Sequence, residues 1–191
     1  MKKHNVLVVI DAQNDFITGS LANPVANERV PIIADIIRDY KWDIIVTTYD
    51  THQPDYLKTK EGEKLPVPHC IYNEHGWELD ERIIDALETV SKRENGPKVH
   101  TVCKPTFGDK DLADSIRYFC HIGADDEVNI VMCGFCTDIC VVSNAIMLKA
   151  NFYNNGDIKV VANACAGVTP ESHEAALKTM QMCQIDVVEV L

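Results

Sequence analysis

A three-layer α/β/α fold, with six mostly parallel strands doubly wound between helices, is the fold class that this sequence predicts. Three observations point to it. Short β-branched runs are apolar throughout, helix-length amphipathic segments separate them, and the two kinds of segment alternate along the 191 residues. Strands apolar on both sides need cover on both faces, and a parallel sheet between helical layers supplies it. Right-handed crossovers then give the doubly wound order.

The elements follow in chain order. Val6–Ile10 reads as a buried strand, followed by a helix over Glu28–Tyr40. Ile44–Thr48 is the second strand and Asp80–Thr89 the second helix. Val99–Cys103 leads to a helix over Asp109–Ile122, and Asn129–Cys133 to one over Asp138–Asn151. Ile158–Ala162, a helix over Glu171–Gln181 and Asp186–Val190 complete the set. There is no repeat, low-complexity tract or linker, so residues 1–191 read as one domain. The exception to the alternation is the segment from 50 to 77, rich in Pro, His, Tyr and Gly. A loop of that length in a compact domain is usually functional. Because it follows a strand directly, it belongs at the carboxyl edge of the sheet, where such folds bind ligands.

Composition excludes several classes of function. Lys plus Arg number 18 and Asp plus Glu 29, giving a net charge of −11, which argues against phosphate-tracking nucleic-acid binding and against anionic membranes. No apolar stretch reaches membrane-spanning length. Met1–Asn5 runs straight into a strand without the pattern of a secretory signal, so a reducing, cytoplasmic setting is expected. Eight cysteines is a high count, but in such a setting the ordinary role of a thiol is that of a small core side chain. Cys133 and Cys136 form a C-x-x-C, but there is no second pair and no thioredoxin-like context to make it a zinc or redox motif.

The chemistry-bearing residues stand at strand ends. Asp11 follows the first strand, Asp50-Thr51-His52 the second, Lys104 the third and Gly134-Phe135-Cys136-Thr137-Asp138-Ile139-Cys140 the fourth. In a doubly wound sheet these places converge. Taken singly, Asp11 reads as a helix cap, Lys104 as a surface charge and Cys140 as a core thiol. Taken together they form a nucleophilic site. Thr137 is expected to cap the following helix and so to place Cys140 in its first turn. There the dipole and the Lys104 ammonium would favour thiolate, Asp11 would accept the proton, and free N–H groups would hold an oxyanion.

A second constellation consists of Asp50, His52, Glu61 and His69. Alternation turns Asp50 and His52 to one side of an extended segment. Carboxylates mixed with imidazoles suit a divalent metal ion such as Zn²⁺, Mn²⁺ or Fe²⁺. The competing reading is of loop histidines with satisfied hydrogen bonds, and Glu63 is as acidic as Glu61. His75, His100, His121 and His173 lack comparable partners in the sequence and read as structural.

With these motifs the sequence resembles the isochorismatase-like cysteine hydrolase superfamily, most closely its nicotinamidase branch. The resemblance rests on Asp11-Ala-Gln-Asn-Asp-Phe16, Asp50-Thr-His52, Leu65-Pro-Val-Pro-His69-Cys70, Lys104 and Gly134-Phe-Cys-Thr-Asp-Ile-Cys140-Val141, and it covers nearly the whole chain. It implies a triad of Asp11, Lys104 and Cys140, and an oxyanion hole from the N–H groups of Cys136 and Cys140 after a cis peptide between Phe135 and Cys136. It implies a divalent metal on Asp50, His52 and His69, with Glu61 in a further ligand place used by some members, and Phe16 lining the substrate pocket. A small amide substrate, cleaved through a thioester, and a homo-oligomer are what the family leads one to expect. One departure stands out: nicotinamidases typically carry a Trp shortly before the second metal histidine, and here that stretch is Leu65-Pro66-Val67-Pro68. Aromatic stacking would then fall to Phe16, Tyr56 or Phe107. Another small-amide hydrolase, a vinyl-ether hydrolase of isochorismatase type, or a non-catalytic ligand-binding scaffold are the alternatives within the same resemblance.

Overall fold

The computed structural model describes residues 2–123 and 125–191. Its sheet contains β1 (Lys3–Ile10), β2 (Ile44–Asp50), β3 (Lys98–Lys104), β4 (Glu127–Phe135), β5 (Gly156–Ala166) and β6 (Asp186–Val188). All the pairings are parallel and the order is β3-β2-β1-β4-β5-β6. The chain therefore winds outward from β1 to β3, returns to β1 and winds the other way. β1 and β4 form the switch point, where carboxyl-end loops part and leave a crevice.

Seven α-helices connect the strands among the described residues: α1 (Asn14–Ile17), α2 (Pro24–Asp39), α3 (Lys60–Lys64), α4 (Glu81–Ser91), α5 (Leu112–Cys120), α6 (Val142–Asn151) and α7 (Pro170–Met182). α2 packs on α4, while α6 packs on both α5 and α7, so two groups of helices flank the sheet. The central strand β1 is buried from Val6 to Ile10, as its unbroken apolar run requires.

Several boundaries differ from the sequence reading for identifiable reasons. α2 begins at Pro24 because the Asn23 side chain accepts from the N–H groups of Val25 and Ala26 and Pro24 occupies the first helical position. α5 closes at Cys120, where His121 takes a left-handed conformation with φ 51°. β3 is an edge strand with Thr101 and Cys103 exposed, so its apolar run is covered on one side only. The 50–77 segment is also more ordered than a loop. It holds α3 and two short 3₁₀ turns, Tyr56–Lys58 and His75–Trp77. It folds back on itself where His52 N–H donates to the Cys70 carbonyl at 3.0 Å and Tyr72 N–H to the His52 carbonyl at 2.9 Å.

The switch point demands close approach of β4 to β1. Gly134 has φ +120°, and a Cβ there would collide with the backbone carbonyl of Ile10. The Gly134→Ala variant is expected to lose about 3 kcal/mol or more of unfolding free energy, because neither backbone can yield without moving Asp11 or Cys136. Chemical denaturation of both proteins measures the difference, and a loss below 1 kcal/mol would contradict this account.

Candidate active site

Asp11 ends the run of β1. Its backbone turns into the left-handed region at φ 45°, its N–H donates to the Thr48 carbonyl at 3.2 Å, and its Oδ1 accepts from Thr48 Oγ1 at 2.6 Å. Lys104, the last residue of β3, reaches across the end of β2. Its Nζ lies 2.6 Å from Asp11 Oδ2, 3.7 Å from Asp50 Oδ1 and 3.5 Å from Cys140 Sγ. Asp11 and Lys104 are 0% exposed and Cys140 4%. The strand ends thus bring a carboxylate, an ammonium and a thiol into one buried contact.

The turn that carries Cys140 differs from a capped α-helix. Thr137–Val141 forms a π-helical turn ahead of α6, following a cis peptide between Phe135 and Cys136. Thr137 does not cap it; its Oγ1 lies 2.8 Å from His173 Nδ1 on α7. The N–H groups of Ile139 and Val141 both donate to the Cys136 carbonyl, at 3.2 and 3.0 Å. Asp138 braces the turn from outside, accepting from Val168 N–H at 3.1 and 3.0 Å and from Ser172 Oγ.

The electrostatics correct one expectation. Burial and the neighbouring Asp11 carboxylate push the Cys140 thiol well above its ordinary value, and Lys104 opposes them without prevailing. The resting nucleophile is therefore a thiol. The ammonium that was expected to favour thiolate is already committed to Asp11. Lys104 is itself raised despite burial, chiefly by Asp11, and stays charged. Burial raises Asp11, with Lys104 pulling the other way and Asp50 adding to the rise.

Asp50, His52, Glu61 and His69 each offer a ligand atom, and these atoms lie within 4.8 Å of one another. Among the described residues no other His, Cys, Asp and Glu side chains gather in this way; Cys133 and Cys136 make no such cluster, and all eight cysteines are unpaired. His52 Nε2 stands 3.0 Å from Asp50 Oδ2 and 3.5 Å from Glu61 Oε1; His69 Nε2 stands 3.3 and 3.7 Å from the same two oxygens. The His69 Nδ1–H donates to the Val67 carbonyl at 2.8 Å. That bond aims Nε2 at the Asp50 and Glu61 carboxylates, whose negative charge raises the pKa of the ring despite burial and favours a cation at this place. Glu61 Oε1, buried without a hydrogen-bond partner, has room for a metal ion held by the same side chains. Two imidazoles and two carboxylates are a donor set suited to a transition-metal dication. α3 supplies Glu61, and Gly62 beside it is required because a Cβ there would meet the Tyr56 carbonyl.

A cavity of about 400 Å³ lies over both constellations. Asp50, His69, Cys136 and Cys140 contribute to its floor, and Phe16, Leu65, Phe107, Ile139 and Val168 to its walls. No arginine or lysine lines it among the described residues. Phe16 meets His69 edge-on with ring centres 5.8 Å apart, and Phe107 stands half-exposed at the mouth. Tyr56 departs from the expected substrate contact. It is fully buried behind the cluster, its ring against His52 and His69 at 4.7 and 5.0 Å, and its hydroxyl donates to the Leu65 carbonyl at 3.0 Å. Trp77 is also remote from the walls, packing on Tyr49 and Tyr72 while its Nε1–H donates to Thr51 Oγ1 at 2.9 Å. Leu65, Ile139 and Val168 carry no signal in the sequence beyond being apolar residues in loops and turns.

The chain is similar to known proteins along nearly its whole length. The nicotinamidase of Schizosaccharomyces pombe is 26% identical over 228 residues, an alignment that covers 98% of this chain and 94% of the relative. A crystal structure of a nicotinamidase/pyrazinamidase from Bacillus subtilis superimposes with a TM-score of 0.72 at 27% identity, covering 99% of this chain and 100% of that one. A Pyrococcus horikoshii pyrazinamidase in complex with zinc gives 0.71 at 25% identity, covering 97% and 98%. The family profile described as the isochorismatase domain matches residues 5–190, and the chain belongs to that family.

Proposed function

We propose that this protein is a cysteine amidohydrolase that cleaves a small neutral carboxamide, nicotinamide first among them, to the acid and ammonia through a thioester. The observation that carries the reading is the Asp11–Lys104–Cys140 contact at the floor of an apolar cavity lined, among the described residues, by no arginine or lysine. A dianionic vinyl-ether substrate of isochorismatase type would find no arginine or lysine on those walls to pair with its carboxylates. The nicotinamidase and pyrazinamidase relatives support the amide. A scaffold with a relic site has no need of a buried ion pair beside a thiol.

In the proposed sequence of steps Asp11 accepts and returns a proton twice. Asp11 takes the Cys140 proton as Sγ attacks the carboxamide carbon, and the backbone N–H groups of Cys136 and Cys140 receive the developing oxyanion. Collapse breaks the C–N bond, with Asp11 returning the proton to the departing ammonia. Water, deprotonated by Asp11, then attacks the thioester; the acid leaves and Sγ recovers the proton. Lys104 holds Asp11 in place and balances its charge throughout. Phe16 and Phe107 would bracket the substrate's ring, while Tyr56 supports His52 and His69 from behind. Asp50, His52, Glu61 and His69 would hold Zn²⁺, Mn²⁺ or Fe²⁺, which when bound supplies a Lewis-acid anchor for a ring nitrogen.

The eight unpaired cysteines favour a reducing, cytoplasmic setting. Among the described residues no helix is long and apolar enough to cross a membrane. Exposed Tyr118, Tyr153 and Met182 offer apolar surface for a homo-oligomer. A net charge of −11 continues to speak against nucleic acid as a partner.

An ammonia-release screen over nicotinamide, pyrazinamide and simple aliphatic amides, with and without added Zn²⁺, Mn²⁺ or Fe²⁺, tests the reading. Nicotinamide is expected to release ammonia, and Cys140→Ala to lower kcat by at least about a thousandfold. Full activity in that variant would exclude the thioester. Removal of metal by a chelator is expected to raise KM for nicotinamide, with recovery on adding back one of the three ions; unchanged kinetics in demonstrably metal-free protein would contradict the metal assignment. Only the ionised form of Asp11 can accept the thiol proton, and burial raises its pKa. In metal-saturated enzyme kcat/KM should therefore fall as pH drops, with its midpoint above the ordinary carboxylate value of about 4. A midpoint at or below that value would contradict a raised Asp11 pKa, and the absence of any acid limb in Asp11→Asn with activity intact would remove Asp11 as the base.

A further inference from the structure

We propose that Gln13 and Asp15, on the short segment after Asp11, are positioning residues that set the geometry of the Asp50–His52–Glu61–His69 cluster and tie it to the triad. The inference rests on the reading of that cluster as a metal site.

The argument begins with the strand that stops. β1 pairs with β2 as far as Val9 opposite Thr47, and Asp11 N–H still reaches the Thr48 carbonyl. At Asp11 the backbone swings out of the sheet. β2 runs on to Asp50, and a strand directs the backbone groups of every second residue to the same side. Asp50, two beyond Thr48, therefore presents its N–H and carbonyl to an edge that β1 has left. Gln13 fills that edge with its side chain. Its Oε1 accepts from Asp50 N–H at 2.8 Å, and its Nε2 donates to the Asp50 carbonyl at 2.9 Å. The second Nε2 proton goes to the Trp77 carbonyl at 2.8 Å. One donor and two acceptors as partners fix the orientation of the amide uniquely, and Gln13 is 0% exposed. A side-chain amide thus extends the ladder by one residue and anchors the backbone of Asp50. The carboxylate of that residue faces Lys104 through Oδ1 and both histidines through Oδ2.

Two residues further, Asp15 does the same for the other end of the cluster. Its Oδ2 accepts from Cys70 N–H at 2.7 Å and its Oδ1 from Ser20 N–H at 2.9 Å. Cys70 follows His69 directly and holds φ at 46°, a left-handed conformation that a residue with a side chain adopts only under constraint. Gly76 makes room for the Asp15 carboxylate, since a Cβ there would overlap it. Asp11, Gln13 and Asp15 therefore act in turn on the thiol, on Asp50 and on the His69 turn.

Metal affinity and geometry, read apart from turnover, test the proposal. Co²⁺ serves as the probe, its affinity taken from competition with a chromophoric chelator and its coordination from its visible absorption. Gln13→Met, similar in length and without polar atoms, is expected to weaken Co²⁺ binding about 10- to 100-fold and to alter the spectrum. Saturating metal should then recover most of kcat. Asp15→Asn, which keeps a neutral acceptor, provides a milder variant should the first fail to fold. It is expected to weaken Co²⁺ binding in the same direction. Wild-type affinity and spectrum in the folded variants would overturn the positioning role alone. Wild-type protein that takes up no Co²⁺ would overturn the metal reading, and this inference with it.

Discussion

The contact between Lys104 and Asp11, 2.6 Å apart with neither side chain exposed, is the constraint on which the rest of the site depends. An isolated charge of either sign would be too costly in this interior, so each is tolerated only with the other present. Their meeting requires β1 and β3 to end at the same level on either side of β2. It also requires Lys104 to cross the end of β2, which brings Asp50 within 3.7 Å of the same ammonium. Two carboxylates around one ammonium leave the pair with no spare positive charge. Burial first, and that deficit second, keep Cys140, in contact with Lys104, a thiol.

Asp50 belongs to both halves of the site, one oxygen toward Lys104 and the other toward the histidines. The 50–77 segment is best understood as an excursion that starts and ends close to this residue. His52 comes two positions later, Glu61 is brought back by α3, and His69 returns where the chain re-pairs with His52. Trp77 closes the excursion through its bond to Thr51 and through its carbonyl, which accepts from Gln13. The Asp11–Lys104–Cys140 contact and the candidate metal ligands are thereby built on one sheet edge, with a single carboxylate between them.

Much of this was legible in the sequence because strand ends are legible. Asp11, Lys104 and Asp50 each terminate an apolar run, and the doubly wound order makes those ends converge whatever the detailed packing. Asp50 and His52 could be placed together by alternation, whereas Glu61 and His69 depended on a path through an irregular segment that no periodicity describes. Gln13 escaped notice because a polar residue between a strand and a helix looks like turn chemistry; its partners are backbone groups 37 and 64 residues away. Thr137 looked like a cap, and only the position of His173 on α7 explains why its hydroxyl points elsewhere. The protonation of Cys140 follows from burial, which outweighs the nearby ammonium and which the sign and spacing of charges in the sequence do not reveal. Tyr56 was placed in the cavity by its chemistry, while its full burial behind the histidines is a property of packing alone.

The cavity divides by origin. Its reactive floor is assembled from strand termini and the turn after β4, while Phe16, Leu65, Phe107 and Val168 enter from four separate connections. A wall residue of that kind can change size without moving the floor, so the breadth of acceptable amides is free to drift while the bond-breaking machinery stays fixed. Leu65 is the exception to that independence. It lies four residues beyond Glu61, and its carbonyl accepts from the Tyr56 hydroxyl that backs both histidines. A change of shape that shifts the backbone at that wall therefore also disturbs the support behind His52 and His69.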